Sequence, residues 1–267
     1  MNAHRKFGQK GAFLLPNLLT TAALFAGFYS IIAGSNGHFA DAAIAVVVAG
    51  ILDGLDGRVA RLTNTQSDFG VQYDSLADLI SFGLAPALLA FNWSLSSLAE
   101  VSALSGKLGW AAAFVYVACA ALRLARFNSQ ASNEDKTYFQ GLASPAAAGA
   151  LVVTIWFFVD NQVPGSKVVW LIWFMTVGLG VLMFSNVRYF SFKTLPLASK
   201  VPIFWVFLLV LALVLLSIDP PAVLMGVAVI YISSGLVMTL LGRRERQSRR
   251  KQRREQRSGE RAEGEDA

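Results

Sequence analysis

The sequence predicts an all-α fold: a polytopic membrane helix bundle of about eight transmembrane helices, with both termini cytoplasmic. Three observations predict it. Of the 267 residues, 55% are hydrophobic and only 15% charged, against roughly 45–50% and about 25% in soluble domains. The apolar residues gather in eight stretches near the length of about 20 residues that a bilayer crossing needs. All but two of the 23 Lys and Arg residues fall on one side of those stretches, the asymmetry that orients membrane proteins. A single cysteine, Cys119, excludes a disulfide framework. The net charge of +6 is local. Arg243 to Arg257 hold nine Lys/Arg and two Glu, so the rest of the chain sums to 6 − 7 = −1. No nucleic-acid partner is expected for so nearly neutral a body.

The first span, 13–34, follows a segment (1–12) that carries Arg5, Lys6 and Lys10. No small-x-small cleavage site followed by a polar mature domain is present, which argues against a removed signal peptide. Spans at 39–61, 70–92, 108–128, 144–160 and 168–188 follow, then two further ones at 201–217 and 222–242. Arg58 and Arg61 flank the second connection, Arg123, Arg126 and Lys136 the fourth, and Arg188, Lys193 and Lys200 the sixth; only Lys107 and Lys167 lie on the far side. The far-side connections are short. After Leu241, a cytoplasmic tail (243–267) is basic and then acidic. Its basic part reads as an orientation signal, as a dock for anionic lipid head groups at about 1 kcal/mol per basic residue, or as both.

Ionisable residues inside spans are functional candidates, and here they cluster. The second span ends in Asp53-Gly-Leu-Asp56-Gly57-Arg-Val-Ala60-Arg61, and the third begins Gly70-Val-Gln-Tyr-Asp74-Ser-Leu-Ala-Asp78. Asp53 and Asp56 are about 60° apart on a helix, Asp74 and Asp78 about 40°, so each pair shares a face. The connection from Leu62 to Phe69 is short and makes the two helices antiparallel neighbours. Four carboxylates then converge near head-group level. Such a cluster repels itself in a low dielectric and stays ionised only around cations, for which Asp oxygens suit Mg²⁺ or Mn²⁺. Two such ions would clamp a phosphoryl group. Gly57, Ala60 and Gly70 let the backbones approach and leave room for a diphosphate, and Arg61 is a natural phosphate partner.

The spacing Asp53-x2-Asp56-Gly57-x2-Ala60-Arg61-x8-Gly70-x3-Asp74-x3-Asp78 resembles the signature of the CDP-alcohol phosphotransferases at every position. The resemblance implies an integral-membrane enzyme, usually a homodimer, that displaces CMP from a CDP-linked donor with an alcohol. It implies that Asp53, Asp56 and Asp74 are metal ligands and that Asp78 is both ligand and catalytic base. It assigns Gly57 and Arg61 to the donor's diphosphate, with Ser67 as a further donor contact.

Further segments resemble the integral-membrane phosphatidylserine synthases within that family: Leu15-Pro16-Asn17-Leu-Leu-Thr20, Ser81-Phe82-Gly83, Arg123-Leu-Ala-Arg126-Phe127-Asn128, Phe139-Gln-Gly141 and Ser185-Asn186-Val-Arg188-Tyr189 with Lys193. The resemblance covers about 13–195, a core of about six spans, and leaves 196–242 and the tail unmatched. It implies CDP-diacylglycerol as donor and L-serine as acceptor, at the cytoplasmic face of the inner membrane. Serine's carboxylate needs cationic donors, for which Arg123, Arg126, Arg188 and Lys193, with Asn128, are candidates; positive-inside anchoring is the alternative for each. Asn17 and Thr20 lie in the same layer, Asn17 as a helix cap or a donor-site contact. Rival acceptors are glycerol 3-phosphate, inositol phosphate and choline. A cation transporter is a remote alternative, since it would place the charges at the bilayer midplane.

Overall fold

In lipid, a backbone must satisfy its own N–H and C=O groups, so apolar stretches fold as helices. The computed structural model describes residues 3–63, 65, 67–130, 138–185, 188–190 and 203–235. They form α1 (Ala3–Ser35), α2 (Phe39–Leu62), α3 (Asp68–Trp93), α4 (Ala103–Gln130), α5 (Ser144–Asp160), α6 (Val169–Phe184), α7 (Ile203–Ile218) and α8 (Pro220–Gly235). Each expected span holds one of these helices. Four, at Leu15–Ser35, Asp68–Trp93, Ala103–Ser129 and Gly165–Phe184, are long and apolar enough to cross a membrane on their own; α5 and α8 are apolar but shorter. α2 has the length, but Asp41 lies near one end, and Asp53, Asp56, Arg58 and Arg61 crowd the other.

The boundaries depart from expectation in three places. α1 begins at Ala3, so Pro16 and Asn17 lie inside it and Asn17 caps nothing. α4 begins at Ala103, a turn early. The sixth helix stops at Phe184, short of the expected 188, because Ser185 turns extended (φ −68°, ψ 162°). Arg188–Phe190 (β2) then pairs antiparallel with Tyr138–Gln140 (β1), Gln140 opposite Arg188. A backbone bond from the Leu142 N–H to the Leu182 carbonyl (3.1 Å) fastens the start of α5 to the end of α6 and brings these segments together. Gly141 makes the turn possible: its φ is +85°, and a side chain there would run into the Met183 and Ser185 carbonyls. Among the described residues the bundle is helical as expected, with this one short strand pair added. The expected end of the eighth span and the tail lie outside the described residues.

α1 packs along α2, α2 against α5, and α4 against α6. The core is built largely from small residues, among them Ala42, Ala43, Ala49, Ala85, Ala90, Ala120, Ala147 and Ala148, all fully buried. Close backbone approach replaces the hydrophobic drive that lipid removes. Large apolar side chains such as Phe25, Phe28, Phe114, Phe174 and Phe207 point outward.

One irregularity positions the site. From Leu79 to Leu84, directly after Asp78, α3 widens into a π-helical turn. Such turns expose backbone groups that need partners. The fully buried Tyr116 of α4 donates its hydroxyl to the Phe82 carbonyl (3.2 Å), and Ser81 donates to the Ala23 carbonyl of α1 (3.1 Å). α1 comes so close here that a Cβ on Gly27 would lie 2.7 Å from the Ser81 Cα. Gly27→Ala is therefore expected to cost about 1–3 kcal/mol by overpacking, read as a lower Tm in detergent. An unchanged Tm would contradict this contact.

Candidate active site

Asp53 and Asp56 sit on the last turns of α2, and Asp74 and Asp78 on the first turns of α3. The four carboxylates do converge. Ligand oxygens of Asp53, Asp56 and Asp74 all lie within 4.8 Å of one another. The fourth carboxyl, Asp78, lies next to Asp53. Asp56 is buried, and the other three are half-buried.

Each carboxylate is held differently. Asp56 accepts a bond from the Thr20 hydroxyl of α1 (2.7 Å), which also bonds the Pro16 carbonyl (3.1 Å). Thr20 thus orients a metal-type carboxylate, a more specific role than the donor contact expected of it. Asp74 leaves a buried oxygen, Oδ1, with no hydrogen-bond partner. A buried acceptor without a partner is costly, and beside two further carboxylates it is the donor set of a hard divalent cation. The residues present therefore fit such an ion.

The small residues play two different parts. Gly70 lies at a close approach, where a Cβ would meet the Ser67 Oγ at 3.2 Å and the Asn17 Oδ1 at 3.6 Å. Gly57 does not mediate helix contact as expected: a Cβ there would meet nothing within 4 Å. It keeps space open next to Asp56. Ala60 is half-buried and Arg61 exposed, one turn on. Ser67 caps α3, its hydroxyl accepting from the Gly70 N–H (3.0 Å), so that its visible task is structural.

Of the expected acceptor cations, Arg123 is placed beside Asp78. Its guanidinium lies within electrostatic reach of Asp78, and its Nη1 donates to the Ser144 hydroxyl at the start of α5 (2.7 Å). Its Nε is buried without a hydrogen-bond partner. Arg126 instead turns toward the end of α6, with Nη1 3.5 Å from the Phe184 carbonyl. Asn128 donates to the Ser75 hydroxyl of α3 (2.9 Å), the residue after Asp74. Arg188 lies in β2, beside Gln140; its side chain and Lys193 lie outside the described residues. Ser75 and Ser144 were not legible as site residues, because each acts through a partner more than 20 residues away.

Residues 13–184 match the family model described as CDP-alcohol phosphatidyltransferase. The chain belongs to this family. The match takes in every carboxylate of the cluster, together with Thr20, Arg123 and Ser144. Among relatives, a CDP-diacylglycerol–serine O-phosphatidyltransferase of Helicobacter pylori is 40% identical over 223 residues, 82% of this chain and 89% of the relative. One of Methanocaldococcus jannaschii is 31% identical over 192 residues, 72% of this chain and 81% of the relative. One of Saccharomyces cerevisiae is 38% identical over 135 residues, 45% of this chain and 46% of the relative. Family membership and the apolar helices together identify an integral membrane protein. Enzymes of the family depend on divalent metal, and the Asp cluster that would hold it is present.

Proposed function

We propose that this chain transfers the phosphatidyl group of CDP-diacylglycerol to L-serine, releasing CMP. The observation that carries the reading is the convergence of Asp53, Asp56, Asp74 and Asp78 with the half-buried Arg123 beside them. The relatives that carry this activity in their names, at 31% to 40% identity, support the same donor and acceptor.

In this reading, Asp53, Asp56 and Asp74, with Asp78, hold Mg²⁺ or Mn²⁺, two ions per site. When bound, the ions supply charge stabilisation to the transferred phosphoryl group and the departing CMP. The open space at Gly57 receives the donor's diphosphate, which Arg61 and Ala60 flank. Gly70 and Asn17 line the opposite side. The acyl chains remain in lipid, and serine arrives from the cytoplasm. Arg123 binds the serine carboxylate, with Asn128 and Arg126 at the same level. Asp78 takes the proton from the serine hydroxyl as its oxygen attacks the β-phosphorus in line and the bond to CMP breaks. Positioning and electrostatics supply most of the catalysis in such transfers.

The lysine and arginine asymmetry supports a cytoplasmic active-site face in the inner membrane. The six-span core over 13–195 carries the chemistry, 196–242 adds two helices, and the enzyme works as a homodimer. Purified enzyme supplied with CDP-diacylglycerol and, separately, radiolabelled serine, glycerol 3-phosphate, inositol phosphate and choline tests the acceptor. Label is expected in lipid with serine alone. Arg123→Lys, which keeps the charge but loses the planar fork, is expected to raise the serine KM about tenfold or more with the donor KM little changed. Incorporation of another acceptor in preference to serine would replace the reading.

A further inference from the structure

The carboxylates of the cluster are not supported alike. Asp56 is oriented by the Thr20 hydroxyl (2.7 Å), whereas the Asp74 Oδ1 is buried with no hydrogen-bond partner. The aim of that oxygen therefore depends on how the first turns of α3 are held. Those turns are tied through the two residues that flank Asp74 in the sequence. Tyr73 meets the Thr21 hydroxyl of α1 (2.9 Å), and Ser75 accepts from the Asn128 amide of α4 (2.9 Å).

Both ties are built in the same way. A hydroxyl has one proton to give and lone pairs to receive. The Thr21 hydroxyl donates back along α1 to the Asn17 carbonyl (2.7 Å), so it accepts from the Tyr73 hydroxyl. The Ser75 hydroxyl donates back along α3 to the Val71 carbonyl (3.0 Å) and accepts from Asn128 across the gap. The Tyr73 ring is also stacked on Phe69, one turn earlier, with centroids 6.0 Å apart and planes 12° apart.

Successive residues of an α-helix are about 100° apart. Tyr73 and Ser75 thus lie on either side of Asp74, and each is tied to a different helix. Turning α3 about its axis in either sense draws both hydroxyls away from their partners. The tie to α1 enters at Thr21, the residue after Thr20, so neighbouring residues of one helix hold the carboxylates of α2 and α3 in relation to each other. We propose that Tyr73 and Asn128, the latter through Ser75, are positioning residues that fix the rotation of α3 and so aim Asp74 at the divalent ion. This inference rests on the reading that the Asp cluster holds such an ion.

The test is Mn²⁺ binding to the full-length, chelated enzyme in detergent, followed by the EPR signal of free Mn²⁺ with no substrate present. Tyr73→Phe, which deletes only the hydroxyl, and Ser75→Ala are each expected to raise the Mn²⁺ Kd about tenfold, the low end of the cost of losing an outer partner of a metal ligand. Ser75→Thr, which keeps the hydroxyl, is expected to bind as the unmodified enzyme does. Thr21→Val removes the same bond as Tyr73→Phe from its other end, so the two combined should bind Mn²⁺ no more weakly than either alone. Tyr73→Phe combined with Ser75→Ala should bind more weakly than either. Should Ser75→Ala fail to fold, Asn128→Ala is read in its place. An unmodified enzyme that binds no Mn²⁺ removes the underlying reading of the cluster, and with it the proposal. Undiminished affinity in Tyr73→Phe or Ser75→Ala, even with a lowered Tm, overturns the positioning role alone, as does a loss in Ser75→Thr equal to that in Ser75→Ala.

Discussion

Asp78→Asn is expected to lower kcat by about 10²–10⁴-fold, the range that a positioned general base supplies, with the Tm in detergent held or raised. The geometry explains both halves. The Asp78 carboxyl lies beside Asp53 and near Arg123, where, in the proposed reading, the attacking hydroxyl loses its proton. The amide is nearly the same size, so packing against the buried Ala77 and the π-helical turn is undisturbed. It also removes one of four mutually repelling carboxyl groups, which favours the folded state. The measurement is steady-state release of CMP alongside thermal unfolding of the same preparation. Appreciable turnover in the variant would assign the base elsewhere.

Metal removal should have an effect of similar size. Chelation is expected to abolish CMP release, and Mg²⁺ or Mn²⁺ to restore it. Binding should also show without turnover, since an ion that binds only the folded state stabilises it by about 2.7 kcal/mol at 100 times its Kd. Titrating Mn²⁺ into the chelated protein should raise Tm. Asp74→Asn should weaken that rise, because it converts the partnerless buried oxygen into a poorer ligand, and Asp56→Asn should do the same. Thr20→Val should weaken it less, since Thr20 only orients Asp56. A Tm that does not respond to Mn²⁺ in the unmodified protein would remove the metal from the cluster.

Much of this was legible in the sequence, for definite reasons. The helices were, because apolar length is what lipid demands. The four aspartates were, because charges are rare in such stretches and their spacing puts each pair on one face. The partners of those charges were not. Thr20, Ser75 and Ser144 meet Asp56, Asn128 and Arg123 across helices, and a hydroxyl in an apolar run carries no mark of its partner. Arg123 and Arg126 look alike in sequence; their different destinations follow from a rotation of about 300° between i and i+3 positions and from what α5 and α6 present to each. The strand pair was missed because three-residue strands fall below any periodic signal. The end of α6 was misjudged because Ser185-Asn186-Val187-Arg188 holds no Gly or Pro to mark a stop; the extended Ser185 ends the helix, and Arg188–Phe190 pairs with Tyr138–Gln140 beyond it.

The widened turn at Leu79–Leu84 has a consequence for phase. A π-helical turn takes up one residue more than an α-helical one, and one residue corresponds to about 100° of rotation. The two halves of α3 are therefore out of step. Asp74 and Asp78 are aimed by one angular frame, and Pro86, Leu89 and Ala90, all buried, by another. A helical wheel drawn uniformly through Asp68–Trp93 mis-aims one half or the other. Deleting a single residue between Leu79 and Leu84 would bring the two frames into register and swing the carboxylates away from α2, with no acidic residue removed.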